Sequence, residues 1–236
     1  MPLQIAYFAL SLLTVILILL GANRVIKKTH PNDAAAQKKY FLMVLIPLLL
    51  WHLYVFLVAR TGFFTNYEFP PRFVLFLILP LFAFTGIFLY LSRHKQWIKN
   101  VPEPWLVYYQ TFRIGIESLF LFSVSAGILH SQVTLEGYNY DMIFAMTAPV
   151  VGYLAYSKKI FSRKIVKYWN FLGLAVIASI IFLFISTNFL PELYGSKVSL
   201  MPQGIGYYPY ILVAGFLMPS AVFMHVLSIV VLSRKS

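Results

Sequence analysis

The chain of 236 residues contains no cysteine and very little charge. The absence of cysteine excludes disulfide bonds, thiolate metal ligands and a cysteine nucleophile. Charged residues make up 11% of the chain, whereas they make up about 25% of a typical soluble domain. Acidic residues are the scarcest, with 7 Asp and Glu against 19 Lys and Arg. Because 60% of the residues are hydrophobic and the mean hydropathy is +0.79, the composition predicts an integral membrane protein.

Several motifs that carry chemistry are also absent. The sequence has no Gly-rich phosphate loop, no dinucleotide fingerprint, no H-E-x-x-H zinc motif and no G-x-S-x-G nucleophile. The last apolar stretch has no lysine before Lys235, which argues against a retinal Schiff base of the opsin type. We predict no bound metal and no cofactor. The net charge of +12 does not indicate a nucleic-acid partner, because the basic residues fall in separate short connections.

The sequence instead consists of apolar stretches separated by short polar connections. Seven stretches are close to the roughly 20 residues that a helix needs to cross the hydrocarbon core of a bilayer. They cover about residues 3–20, 40–59, 73–92, 105–130, 140–157, 168–190 and 210–232. The sequence therefore predicts an all-α, single-domain bundle of seven transmembrane helices with the lipid bilayer as its partner. A second copy of the chain or another membrane protein is left open as a further partner.

The distribution of Lys and Arg orients the predicted bundle. Connections one, three and five and the C-terminal tail carry 15 of the 19 basic residues, whereas the opposite connections carry only Arg60, Arg72 and Lys197. Short connections rich in Lys and Arg stay in the cytoplasm. We therefore predict that the N-terminus lies outside and the C-terminus lies in the cytoplasm, with the protein in the inner membrane of a bacterium.

The fourth predicted span carries Gln110, Arg113 and Glu117, which share one face of a helix. A charge at bilayer depth costs roughly 2.5–3.5 kcal/mol on insertion scales, so we expect this face to point into the bundle. Counting residues along the spans places His52 level with Glu117 and His225 level with Arg113. These five residues are the predicted pathway for a substrate or ion, and Arg113 and Glu117 are expected to pair. A purely structural ion pair is the alternative.

The connection after this span contains Glu136, Asn139 and Asp141, which we predict to lie at an outer mouth, where acidic groups select cations. A solvated turn that caps the fifth helix is the alternative. The connection reads T-L-E-G-Y-N-Y-D at residues 134–141, with Q-T-F-R-I-G-I-E before it and a span containing A-P after it. Over residues 110–149 the chain resembles a bacterial family of polytopic membrane proteins of uncharacterised function, which implies a membrane location and no particular activity.

Spans three and seven are similar to each other. Each follows a proline, Pro71 or Pro209, and each has a second proline nine or ten residues later, Pro80 or Pro219. Kinked or broken helices line the substrate sites of many transporters. Spans one and five do not match in the same way, so the sequence gives only weak support for an internal repeat.

These patterns favour a small transporter or a channel-like protein for an ion, a proton or a small polar solute. Two other classes stay open. The first is an intramembrane enzyme that acts on a lipid or another membrane-borne substrate, with Glu117 and a histidine as acid and base. The second is a non-catalytic partner in a membrane assembly, in which the charged face pairs with another subunit. The sequence favours transport over an enzymatic activity.

Overall fold

A computed structural model describes residues 2–201 and 203–234, and within these ranges the regular structure is helical, with no β-strand. The α-helices are α1 (Pro2–Thr29), α2 (Ala34–Arg60), α3 (Leu79–Ser92), α4 (Gln96–Asn100), α5 (Glu103–Tyr109), α6 (Phe112–Ser125), α7 (Asp141–Gly152), α8 (Arg163–Phe189) and α9 (Met218–Arg234). Three π-helical segments adjoin them at Val74–Ile78, Tyr153–Ser157 and Val213–Leu217. The prediction of an all-α fold is confirmed.

Five helices are long and apolar enough to cross a membrane. They are Pro2–Thr29, Ala34–Arg60, Val74–Ser92, Arg163–Phe189 and Val213–Arg234. These helices correspond to predicted spans one, two, three, six and seven, and they support the prediction of a membrane-embedded protein. The predicted count of seven is not confirmed. The fourth predicted span is divided between two helices, and the fifth, α7 with the π-helical segment Tyr153–Ser157, is shorter than these five helices.

The fourth predicted span, 105–130, is not a single helix. Gln110 and Thr111 form a break that divides it into α5 and α6. At the break the Gln110 carbonyl accepts a hydrogen bond from the Arg113 amide at 3.2 Å, three residues later rather than four, which is a tighter turn than an α-helix makes. α6 then ends at Ser125. The polar residues that follow therefore belong to a connection and not to the span.

The connections between helices meet in two sets, one at each end of the bundle. At the first end, the connections rich in Lys and Arg contact one another and the last turn of α9. Asn100 Nδ2 donates to Thr29 Oγ1 at 2.9 Å, and Arg234 Nη2 donates to the His94 carbonyl at 2.8 Å. A salt bridge joins Arg163 to Glu103. At the second end, Asn188 donates to the Tyr67 carbonyl at 2.9 Å, and the rings of Tyr138 and Tyr194 lie 5.6 Å apart. These ends are termed the basic end and the aromatic end.

Spans three and seven share one local structure. In each, a five-residue π-helical segment leads into an α-helix whose second residue is proline, Pro80 in α3 and Pro219 in α9. Proline has no N–H, so the carbonyl four residues earlier loses its helical partner. Those carbonyls belong to Phe76 and Gly215, each the third residue of its π-helical segment. The similarity of the two spans in sequence therefore extends to their backbones.

Two aromatic side chains of α2 supply the missing donors. Trp51 Nε1 donates to the Gly215 carbonyl at 2.6 Å, and the Tyr54 hydroxyl donates to the Phe76 carbonyl at 3.5 Å. Trp51 and Tyr54 are three residues apart and so lie on one face of α2. The two π-helical segments also pack against each other. One face of α2 thus stabilises both π-helical segments.

Replacing Trp51 by Phe should lower the free energy of unfolding by about 1–3 kcal/mol, because the buried Gly215 carbonyl then has no donor. Pro219→Ala restores an N–H to that carbonyl, so the loss caused by Trp51→Phe should shrink in the Pro219→Ala background. Denaturant unfolding of the wild type, both single variants and the double variant measures this coupling. Tyr54→Phe, which removes a longer bond, is the matched control and should cost less. If Trp51→Phe lowered the free energy of unfolding equally in the wild-type and Pro219→Ala backgrounds, the assigned role of the Trp51–Gly215 hydrogen bond would be contradicted.

Candidate functional site

Arg113 lies at the centre of a buried polar cluster. Its Nε donates to Asp141 Oδ2 at 3.0 Å and its Nη2 donates to Asp141 Oδ1, so the guanidinium group holds the carboxylate with two hydrogen bonds. Both side chains are buried. The Phe144 ring centroid lies 5.2 Å from the guanidinium carbon, within the range of a cation–π contact. Asp141 is also the first residue of α7, where the helix dipole favours a negative charge.

His225 extends the cluster from α9 to α8. Asn170 Nδ2 donates to the Val166 carbonyl at 2.8 Å and to Ser228 Oγ at 3.0 Å, so its Oδ1 faces His225 Nδ1, at 2.8 Å. Oδ1 can only accept, and therefore Nδ1 carries the ring proton. This leaves His225 Nε2 as the acceptor for Arg113 Nη1, at 3.1 Å. The histidine is thus fixed in one neutral tautomer by its two partners.

A glycine on α8 allows the His225 ring to approach this closely. A Cβ atom at Gly173 would collide with the imidazole ring and would lie 2.9 Å from the Phe144 ring. Gly173 is three residues after Asn170, so both lie on the face of α8 that meets α9. The stacked rings of Phe144 and Trp169, 5.0 Å apart, flank the histidine. The small residue and the aromatic side chains together position His225 between Asn170 and Arg113.

Glu117 lies one helical turn beyond Arg113 and has a different partner. Asn139 Nδ2 donates to Glu117 Oε2 at 2.9 Å and to the Val133 carbonyl at 3.1 Å, while Asn139 Oδ1 accepts from the Asp141 amide at 2.9 Å. Asn139 therefore links the Glu117 carboxylate to the backbone at the start of α7 and brings no charge to Glu117. In the described part of the chain, the salt bridges are Arg113–Asp141 and Arg163–Glu103. Glu117 is thus a buried carboxyl group with no ion-pair partner.

A cavity of about 80 Å³ reaches this cluster. Its polar lining includes Arg113, Glu117 and Asp141. Most of its wall is apolar and consists of side chains from α6, α8 and the π-helical segments that precede Pro80 and Pro219. Tyr67, from a connection at the aromatic end, also lines it, and burial raises the pKa of the Tyr67 hydroxyl. A water molecule needs roughly 10–15 Å³ of such space, so the cavity has room for several. The arrangement fits a small molecule with an apolar body and one polar group.

The structure confirms that Arg113 and Glu117 face the interior, since they are 1% and 2% exposed. The expected pairing between them is wrong, because the salt bridge of Arg113 is with Asp141, to which it donates two hydrogen bonds. Asn139 and Asp141 are buried, at 1% and 4% exposed, and their role at an outer mouth stays a prediction. These two residues fold inward because Arg113 and Glu117 bind them. Glu136 is exposed at the aromatic end, so its role at a mouth stays a prediction.

The remaining predicted residues lie at the edge of the cluster or outside it. Gln110 is fully buried at the α5–α6 break, where its Nε2 donates to the Ala221 carbonyl at 3.2 Å. Its Oε1 is buried and has no partner among the described residues. His52 is bonded elsewhere, with Nδ1 at 2.8 Å from the Leu48 carbonyl and Nε2 at 3.3 Å from Ser11 Oγ. The interpretation of Gln110 and His52 as pathway residues stays a prediction.

The sequence interpretation missed Asn170 and Ser228, which complete the chain of hydrogen bonds from Arg113. The available signal was the polarity of Asn170 within the apolar sixth span. Within the described ranges, no group of three or more His, Asp or Glu residues has the geometry of a metal site. Comparisons with known protein families, with characterised proteins and with solved structures gave no match. The resemblance over residues 110–149 therefore stays a prediction.

Arg113→Leu and Asp141→Leu should each lower the free energy of unfolding by about 3–5 kcal/mol, because each leaves the other charge buried and unpaired. The double variant removes both charges and should recover most of that loss. Denaturant unfolding in a neutral detergent measures the cycle. Arg113→Leu with Glu117→Leu is the matched control and should show no recovery. Recovery in the control, or additive losses in the Arg113–Asp141 pair, would contradict the assigned partner.

Proposed function

We propose that the protein is a small membrane transporter that moves a proton together with a small solute of mixed polarity. The observation that carries this proposal is the cavity lined by the buried carboxyl group of Glu117. Carboxyl groups inside a membrane protein are rare, and they typically mark ion or proton pathways. The mostly apolar wall of the cavity favours a solute with an apolar body over a bare ion. The polar group of the solute would meet Glu117 and the neighbouring Arg113–Asp141 pair.

The hydrogen bonds of the cluster support different roles for its two buried carboxyl groups. Asp141 is committed to Arg113 through two hydrogen bonds, so binding a proton would break an ion pair. Glu117 accepts one hydrogen bond, from Asn139, and is free of any ion pair within the described residues. Glu117 can therefore exchange a proton with the cavity while Arg113 and Asp141 stay in place.

The helices around the cavity also support transport. The π-helical segments Val74–Ile78 and Val213–Leu217 both contribute to its wall. Such interruptions recur at functional sites, and broken helices with midplane sites are typical of secondary transporters. The enzymatic alternative, with Glu117 and a histidine as acid and base, is less well supported. His225 does not line the described part of the cavity, and its Nε2 is occupied by Arg113.

We also propose that the chain crosses an inner membrane seven times, with the basic end in the cytoplasm and the N-terminus outside. In this arrangement α5 and α6 together form the fourth crossing, and α7 with Tyr153–Ser157 forms the fifth. The meeting of alternate connections at opposite ends of the bundle supports the seven crossings. The excess of Lys and Arg at the basic end supports the orientation.

The orientation can be tested by cysteine labelling, since the chain has no cysteine of its own. In intact cells, a membrane-impermeant maleimide should label Lys197→Cys, at the aromatic end. It should label Ala35→Cys, at the basic end, only after the membrane is permeabilised. Both positions are exposed in the structure. The reverse pattern would invert the orientation, and labelling of both positions from outside would overturn the crossing pattern.

Glu117→Gln should reduce proton flux at least about tenfold, because an amide cannot exchange a proton. The assay uses liposomes with a pH-sensitive dye, a potassium diffusion potential, and short-chain monoamines or monocarboxylates supplied in turn as solutes. Glu192→Gln, which changes an exposed carboxyl group at the aromatic end and outside the predicted pathway, is the matched control and should leave flux unchanged. Equal flux in the wild type and Glu117→Gln, or no flux with the wild type under all conditions, would contradict the proposal.

A further inference from the structure

A second concave site lies at the basic end, away from the Glu117 cavity. It is an open cleft of about 590 Å³ between the end of α1, α4 and the start of α5. Arg24 and Lys28 from α1 and Lys99 from α4 line one part of it. Arg24 and Lys28 are four residues apart and lie on one face of α1. Three positive charges from two helices therefore converge on one cleft.

The three cations of this cleft form no salt bridge with the described residues. In the described part of the chain, neither of the two salt bridges includes Arg24, Lys28 or Lys99. Glu103 also lines the cleft, but its carboxylate is bound to Arg163. The cleft wall also includes Tyr156, whose hydroxyl oxygen is buried without a hydrogen-bond partner among the described residues. The cleft therefore combines uncompensated positive charge with an unused hydroxyl donor.

The surroundings of this cleft are typical of the level of lipid headgroups. Any side chain at Gly21, one turn before Arg24, would collide with the Trp105 ring, and tryptophan is enriched at membrane–water interfaces. The surface of α1 that leads to Arg24 is apolar and exposed, with Ile16 and Leu20 44% and 61% exposed. A lipid whose headgroup occupied the cleft would lay an acyl chain along this surface.

We propose that the cleft binds a phosphate group, carried either by an anionic lipid of the surrounding leaflet or by a soluble anion. Arg24, Lys28 and Lys99 supply the positive charge, and Tyr156 donates a hydrogen bond to a phosphate oxygen. Basic pockets between transmembrane helices are suited to anionic headgroups for this reason. The exposed apolar surface of α1 favours the lipid. This site is independent of the transport proposal, since it shares no residue with the Glu117 cavity.

The test measures the thermal unfolding of the full chain in neutral-detergent micelles. A ligand that binds the folded state raises the unfolding temperature by an amount that grows with the ratio of its concentration to its Kd. Three probes are added in separate titrations: phosphatidylglycerol, phosphatidylcholine and inorganic phosphate. Phosphatidylglycerol should stabilise the wild type more than phosphatidylcholine does. Stabilisation by inorganic phosphate would support the same cleft with a soluble anion as its ligand. Stabilisation by neither anionic probe would overturn the proposal.

The variant Arg24→Gln/Lys28→Gln/Lys99→Gln should need at least about tenfold more phosphatidylglycerol for half of the stabilisation, since each basic group contributes to binding. Lys27→Gln/Lys38→Gln/Lys39→Gln removes the same charge from the same end of the bundle, outside the cleft, and should behave as the wild type. Equal losses in both triple variants would reduce the effect to net charge and overturn the site. If the cleft variant fails to fold, Lys99→Gln and Tyr156→Phe provide the same comparison singly, and wild-type behaviour in both overturns the proposal.

Discussion

The buried ion pair between Arg113 and Asp141 is the constraint on which the rest of the structure depends. An arginine at bilayer depth needs a counter-charge and several acceptors, and removing either partner of such a pair typically costs about 3–5 kcal/mol. An exposed salt bridge, by contrast, contributes about 0–1 kcal/mol. Asp141 can meet Arg113 only if α7 begins inside the protein. The connection before α7 must therefore fold inward, and its Asn139 then reaches Glu117.

The same pair organises the helices that surround it. With two of its nitrogens bound to Asp141, Arg113 turns a third toward His225, and Asn170 fixes the histidine from the other side. The cluster therefore ties α6, α7, α8 and α9 together through polar contacts, which are specific in direction in a way that apolar packing is not. Glu117, which lines the cavity, has no ion-pair partner in the part of the chain that the structure describes. Glu117 is left without an ion pair because Arg113 binds Asp141 instead.

The sequence predicted the helical class and most spans, because long apolar runs and short basic connections are local signals. Residue counting also placed Arg113 level with His225, and the two are in contact. The partner of Arg113 could not be predicted in the same way. Glu117 was the nearest opposite charge along the helix, whereas Asp141 lies 28 residues away in a stretch that is typical of a solvated turn. Likewise the positions of the prolines indicated that spans three and seven are similar. No sequence pattern showed that Trp51 and Tyr54 would donate hydrogen bonds to the carbonyls that those prolines leave unpaired.

The most direct test of this account is a solid-state NMR distance measurement on isotopically labelled protein in lipid bilayers. It compares dipolar transfer from the Arg113 guanidinium nitrogens to the carboxyl carbons of Asp141 and Glu117, with assignments made from Asp141→Asn and Glu117→Gln samples. The account predicts strong, short-range transfer to Asp141 and weak transfer to Glu117. Strong transfer to Glu117 would mean that Arg113 neutralises Glu117, and would contradict both the assigned ion pair and the free carboxyl group at the cavity.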